Sequence, residues 1–268
     1  MQIYGKRILL TGATGGVGSV LAQKLAEKGA ILALVGRDSS KLHALIQTLP
    51  AFNGSHVAII ADFNQANIAQ QLATEAQQKL GNIDLLINNA GILDFIQLED
   101  QTDERIAQII NTNVTALIQL TRALLPQFKA KNQGHFVMIG SIFGSLGFPH
   151  YATYCASKFA VHGFSQALRR ELVDTQIGVT YIAPRAIATT MNDTTTTAML
   201  EKAGQKMDKP EIVADIVVKA IENEKQEVFI GQPQSLFAWL NGVAPKMVNM
   251  GLKKQTALAV PFLTTKKK

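Results

Sequence analysis

Thr11-Gly12-Ala13-Thr14-Gly15-Gly16-Val17-Gly18 stands between a short apolar run, residues 8–11, and a longer amphipathic stretch, residues 18–28. Glycines let the chain turn tightly and bring its backbone close to a neighbour. A helix that starts straight after such a turn aims free N–H groups and the positive end of its dipole at whatever fills the turn. Strand, glycine turn and helix therefore predict an anion cradle at the first βα unit of an α/β protein. The spacing of Gly12, Gly16 and Gly18 is Gly-x-x-x-Gly-x-Gly, not the dinucleotide-binding Gly-x-Gly-x-x-Gly. A glycine-rich turn can also be purely structural; its place between strand and helix favours the phosphate reading.

Outward from that turn the same alternation recurs. Further compact runs of Ile, Val and Leu lie at residues 31–35, 57–60, 85–87, 136–139, 178–182 and 228–230. Runs of this kind suit strands buried on both faces. Between them, residues 40–48, 68–80, 103–129, 153–174 and 210–222 read as helices, with Asp38 and Ser39 before one start and Pro210 at another. Repeated strand–helix alternation predicts right-handed crossovers and a doubly wound parallel sheet of about seven strands, with helices on both faces. No internal repeat or linker divides the chain, so residues 1–268 are expected to form one domain. Two stretches break the rhythm. Residues 189–208, with Thr194 to Thr197 in succession, read as a long mobile connection and an active-site lid. Residues 232–268 form an apolar, basic tail.

Composition narrows the functional classes. Hydrophobic residues at 47% give the chain enough apolar side chain for a sizeable core. Its net charge of +6 comes without a basic stripe interleaved with aromatics, which argues against nucleic acid and fits an anionic cofactor. Cys155 is the sole cysteine, so no intrachain disulfide forms, as expected in a reducing compartment. The chain shows neither a secretory leader nor an apolar run of transmembrane length, and the expected location is the cytoplasm. Five scattered histidines lack metal-ligand spacing, so no metal is expected. Gly140-Ser141-Ile142-Phe143-Gly144 is not a nucleophile elbow, and no histidine–carboxylate pair accompanies it, which sets aside a serine hydrolase.

The second strand bears on the cofactor. An acidic residue at its end would bond the ribose 2′-hydroxyl of NAD. Here the chain reads Leu34-Val35-Gly36-Arg37-Asp38: Gly36 takes the acidic position and Arg37 offers a guanidinium suited to a 2′-phosphate. Asp38 is accounted for as a helix cap. NADP(H) is thus expected in preference to NAD(H).

With these elements in order, the chain resembles the short-chain dehydrogenase/reductase family over roughly residues 5–232. The resemblance is carried by the glycine turn, Asp62 after the third strand, and Asn88-Asn89-Ala90-Gly91 after the fourth. Asn113 within Thr112-Asn113-Val114, Ser141, and Tyr154-x-x-x-Lys158 complete it. It implies a Rossmann fold and a catalytic set of Asn113, Ser141, Tyr154 and Lys158. Expected cofactor contacts are Gly12, Thr14, Gly16, Val17, Gly18, Arg37, Asp62, Asn89, Tyr154, Lys158, Ile187 and Thr189. It further implies that Lys158 binds nicotinamide ribose hydroxyls and that Asn113 positions a water in a proton relay.

The chemistry of the set can be argued from residue types. Tyr154 and Lys158, four apart on a helix, share one face. A phenol ionises near pH 10, and bringing it to ~7 takes about 4 kcal/mol of preferential phenolate stabilisation. A nearby ammonium and an oxidised nicotinamide ring both act in that direction. In reduction the protonated phenol donates to a carbonyl oxygen that Ser141 holds by a hydrogen bond. Tyr151, whose i+4 neighbour is Cys155, lacks the ammonium partner. The expected activity is NADP(H)-dependent interconversion of a carbonyl and an alcohol on a small or medium apolar substrate. A catalytically silent NADP-binding regulator is the other reading, and an intact Ser141, Tyr154 and Lys158 argue against it.

Two departures from the family pattern remain. Arg185 follows Pro184 where the family commonly has glycine; it is expected either to face solvent or to recognise an anionic substrate group. Ala116 also replaces a frequent glycine, a change that touches helix packing. In the tail, Leu236, Leu240, Val243, Met247 and Met250 recur at helical spacing, interrupted or restarted by Pro245. This stripe is expected to pack on the domain or on another subunit of a homo-oligomer, dimer or tetramer. A lipophilic substrate wall, or a peripheral membrane contact aided by Lys246, Lys253, Lys254 and Lys266 to Lys268, is the sharper alternative.

Overall fold

The computed structural model describes residues 1–51 and 54–263. All seven expected strands form: β1 (Arg7–Thr11), β2 (Ile31–Gly36), β3 (Val57–Ile60), β4 (Leu85–Asn88), β5 (Gly134–Ile139), β6 (Ile177–Ala183) and β7 (Glu227–Phe229). They pair in parallel in the order β3-β2-β1-β4-β5-β6-β7. The chain winds outward from β1 to β3, returns to the far side of β1 as β4, and winds outward again. Beyond the carboxyl ends of β1 and β4 this reversal leaves a crevice, where such sheets hold ligands.

Strand periodicity sorts the core into two layers. Ile8 and Leu10 point to one face with Leu32 and Leu34; Leu9, Ala33 and Val35 point to the other. The first face is covered by α1 (Gly16–Glu27), α2 (Ser39–Thr48) and α8 (Pro210–Glu222) through Leu21, Leu25, Leu42, Val213, Val217 and Ile221. The second is covered by α3 (Ile68–Leu80), α5 (Ala116–Lys131) and α6 (Ala152–Glu171) through Leu72, Leu120, Leu124, Phe128, Val161 and Leu168. The central strands are buried on both faces, as continuous apolar runs require, while Ile60 on the edge strand β3 is exposed.

Three segments depart from the periodicity-based outline. Residues 103–129, expected as one helix, are α4 (Asp103–Ile110), a π-helical turn (Asn111–Thr115) and α5. The wider turn directs Asn113 inward, where it is 1% exposed. The connection at 189–208 contains α7 (Thr194–Lys202), which successive β-branched threonines disfavour by propensity. It forms because the Asp193 side chain accepts from Thr196 N–H at 2.7 Å and because Thr196, Met199 and Leu200 bury one face. The tail forms α9 (Gln234–Val243) and α10 (Pro245–Ala259), with Pro245 restarting the helix at its first turn.

The tail stripe is largely open on this chain. Leu236, Val243, Met247 and Met250 are exposed, and Ala238, Val248 and Ala259 are buried residues of these helices. Of the stripe, Leu240 is half-buried, and it and Met247 line a cavity of the domain. Spacing located a helical face, but which face meets the domain was set by the shape of the crevice beneath. Lys254 and Lys266 to Lys268 lie outside the residues whose side chains are described.

Candidate active site

The glycine turn between β1 and α1 is built by close approach. Gly12 has φ +64°, and a Cβ there would lie 2.9 Å from the Ala90 backbone. A Cβ on Gly16 would come within 2.5 Å of the Thr189 side chain. Asn89 braces this turn from β4: its Nδ2 donates to Thr11 O at 3.0 Å and to Gly12 O at 3.1 Å. Thr11 Oγ1 accepts from the N–H groups of Asn89 and Ala90, both at 3.0 Å. Gly15 at the N-cap of α1 provides no side-chain cap, so the first-turn N–H groups face the crevice without a side-chain acceptor.

At the neighbouring strand ends, Arg37 is exposed and makes no ion pair among the described residues. Asp38 is committed to α2, accepting from Lys41 N–H at 3.1 Å and from Ser40 Oγ at 2.6 Å. Asp62 accepts from the Asn64 backbone and side chain, both at 3.0 Å.

Opposite the cradle, α6 carries Tyr154 and Lys158 on one buried face. Lys158 Nζ donates to Ile139 O at 3.0 Å and stands 5.6 Å from the centre of the Tyr154 ring. Ser141, at the end of β5, accepts at Oγ from Phe143 N–H at 3.1 Å and also bonds the Tyr154 hydroxyl. Asn113 is behind this wall. Its Oδ1 accepts from Ile92 N–H at 2.8 Å, and its Nδ2 donates to Ile92 O and Ser157 Oγ, each at 2.9 Å. Both Asn113 Oδ1 and Lys158 Nζ lie beside the backbone of Gly91.

Burial dominates the electrostatics of the protein alone. It pushes the Tyr154 phenol up to about 12, against the lowering influence of the Ser141 hydrogen bond. It brings the Lys158 ammonium down to about 8. In the protein alone, loss of hydration therefore keeps Tyr154 protonated, the form expected to donate in the reductive direction.

One cavity of about 910 Å³ joins these pieces. It is lined by Gly12, Thr14, Gly16, Val17, Gly18, Arg37, Asp62, Asn89, Ser141, Tyr154, Lys158, Ile187 and Thr189. Of the residues expected at the site, only Asn113 is off its lining. Residues 6–200 match the family described as short chain dehydrogenase.

The chain belongs to the short chain dehydrogenase family. It is an oxidoreductase of the class that acts on CH–OH groups with a nicotinamide nucleotide. The ketoacyl reductase HetN of Nostoc sp. is 35% identical over 231 residues, 86% of this chain and 80% of that protein. A short-chain dehydrogenase from Sphingobium yanoikuyae, solved with NADPH, has TM-score 0.76 at 26% identity, covering 93% of this chain and 95% of that one. A short chain dehydrogenase/reductase from Burkholderia phymatum, solved with NAD, has TM-score 0.83 at 24% identity, over 92% and 96% of the two chains. The last is a likeness of fold.

In this short chain dehydrogenase Arg185 does not face solvent: it lines the cavity with its guanidinium paired. Its Nε and Nη2 bond Asp208 at 2.9 and 2.7 Å, and Nη1 donates to Gln232 O at 3.0 Å. The bidentate pair ties the end of β6 to the far end of the α7 connection. Asp208 is too distant in sequence for spacing to have revealed it.

Of the apolar half of the cavity, a lipophilic wall from the tail stripe was an expected alternative, and Leu240 and Met247 line it; the aromatic segment after β5 was missed. Phe143, Leu146, Phe148 and Tyr151 line it from the segment after β5, and Phe237, Leu240, Val248 and Leu252 from the tail. Phe143 stacks on Phe148 with ring centres 5.0 Å apart. In the tail the available signal was the second face of the helices, where Phe237 and Leu240 are three apart. Among the described residues no group of His, Cys, Asp and Glu is arranged to hold a metal, and no helix is long and apolar enough to cross a membrane.

Proposed function

We propose that the chain is an NADP(H)-dependent carbonyl reductase for an apolar substrate, with Tyr154 as proton donor. One observation carries this: Ser141, Tyr154 and Lys158 meet in a single cavity that runs from an uncapped helix N-terminus to an apolar, aromatic end.

A dinucleotide fits the other half of that cavity. The α1 N-terminus and the glycine turn suit a pyrophosphate, and the unpaired Arg37 suits a 2′-phosphate. Thr14, Val17, Asp62, Asn89, Ile187 and Thr189 line the path between, and Lys158 would bond ribose hydroxyls. When bound, the reduced nucleotide supplies a hydride.

The chain supplies the proton and the polarisation. A phenol held protonated by burial is in the correct state to donate to a carbonyl oxygen as negative charge grows there. Ser141 Oγ–H is the second donor at that oxygen, and Lys158 stabilises the phenolate left behind. Asn113 acts from behind the wall, fixing Ile92 and Ser157 and offering the free lone pair of Oδ1 beside Lys158 for a water that returns the proton. Phe143, Phe148, Leu240 and Leu252 favour an apolar substrate body and exclude water from it.

The test is NADPH oxidation monitored against ketones, aldehydes and acyl thioesters, the last prompted by the ketoacyl reductase name of the Nostoc relative. Turnover that Tyr154→Phe abolishes supports the proposal. NADPH binding with no turnover on any panel member returns the chain to the silent-regulator reading.

A further inference from the structure

The net charge of this protein is concentrated in one place. Residues 228–268 contain six lysines and no aspartate or glutamate, while residues 1–227 hold the other 20 Lys and Arg against all 20 Asp and Glu. The formal charge of +6 therefore belongs entirely to the tail, and the rest of the chain is neutral. Most of that tail is α9 and α10.

The same helices display a cluster of exposed large apolar side chains. Leu236, Trp239 and Val243 recur at i, i+3 and i+7 along α9, and Trp239 is 65% exposed. On α10, Met250 is 78% exposed and stands between the exposed Lys246 and Lys253, which are seven residues, about two turns, apart. Their opposite sides are seated on the domain by Ala238 and Val248, and Asn241 Nδ2 donates to Ser145 O at 3.0 Å. The outward face is thus a fixed feature, with large apolar groups flanked by cations and no anion.

We propose that α9 and α10 dock this protein on an anionic phospholipid surface. Protruding Trp, Leu, Val and Met side chains suit the headgroup–acyl boundary, and lysines beside them suit anionic headgroups. Trp in particular favours that boundary, with its apolar rings in and its N–H toward water. A second copy meeting this face symmetrically would bring like charges together, and a soluble polyanion would leave the apolar groups uncovered.

Docking there places the cavity against the lipid. Phe237, Leu240, Met247, Val248 and Leu252 line the cavity from these two helices. A lipophilic substrate would then pass from the acyl region to the site along their inner faces. This substrate route rests on the activity proposed above; the docking does not, and it is tested without turnover.

Trp239 is the only tryptophan, so its fluorescence reports the surface directly. The full chain is floated with phosphatidylcholine vesicles, alone or with about 30% phosphatidylserine, while emission is recorded. The expected result is binding to the anionic vesicles with a blue shift, weakened in about 1 M salt. Lys246→Glu with Lys253→Glu should lower partitioning by about 30-fold. Val243→Ser with Met250→Ser should reduce the retention that survives high salt. All four positions are exposed and off the cavity lining, so the thermal transition and NADPH affinity should be unchanged. Failure to bind, or binding that leaves Trp239 emission unmoved, overturns the proposal. So does a blue shift that tracks protein concentration without vesicles, which would assign the face to a second copy.

Discussion

At the residue scale, the proposed acid and its neighbours separate by what each change removes. Tyr154→Phe keeps the ring in its buried seat and deletes the transferable proton. Turnover should fall by about 10²–10⁴-fold while NADPH titration is unchanged. Tyr151→Phe is the control: Tyr151 lines the cavity, but burial raises its pKa and no lysine stands four residues on. Its turnover should stay near wild type. Arg37→Ala should weaken NADP(H) about tenfold more than NAD(H), a difference of about 1.4 kcal/mol, read from parallel titrations. Lys158 makes a pH prediction for the ligand-free chain. Its folded pKa of about 8 lies below the ordinary lysine value of 10.5, so between those values the unfolded chain binds more protons. Stability should therefore rise with pH there, by up to about 1 kcal/mol per pH unit. Tyr154, shifted from 10.0 up to about 12, acts oppositely above pH 10. Urea unfolding of wild type against Lys158→Met from about pH 8.5 to 9.5 isolates the lysine. Parallel stability curves would show that Lys158 is not held at a lowered pKa.

At the element scale, the connection from Thr189 to Asp208 has two anchors and a middle. One anchor is Thr189 against Gly16, the other the Arg185–Asp208 pair; between them α7 depends on the Asp193 cap and on Met199 and Leu200. We propose that this segment closes over cofactor and substrate. Hydrogen exchange of α7 should slow when both are bound, and equal protection with and without them would leave α7 a static wall. Asp208→Asn keeps the volume but removes the charge opposite a half-buried guanidinium. Exchange in α7 should quicken and the apparent KM for the substrate should rise, with the sheet's own protection unchanged.

At the scale of the whole molecule, the two sheet-flanking cores end at Ile230. A third, smaller cluster joins Phe148, Tyr151, Met199 and Leu200 to Ala259, with Leu252 and Phe262 packed on it. A chain ending at Gly231 should therefore keep its sheet and its cooperative thermal transition. It should lose turnover on apolar substrates, because one wall of the cavity goes with the tail. Collapse of circular dichroism in that truncation would show that α9 and α10 support the fold as well as the site.

Sequence alone determined what depends on local periodicity and short spacing. Continuous apolar runs marked every strand because a sheet covered on both faces has no wet side. The glycine turn, Asp38 as a cap, and Tyr154 with Lys158 were legible because each is read within a few residues. Tertiary structure decided what depends on partners far along the chain. Asp208 took Arg185 from 23 residues away, and Asn113 was turned inward by a π-helical turn against Ile92 and Ser157. Burial, not charge, fixed the protonation of Tyr154, because the desolvating walls come from many separate segments. Which face of α9 and α10 met the domain was decided by the fit of Ala238 and Val248 to the surface beneath. An apolar stripe carries its hydrophobicity with it but not the identity of what will cover it.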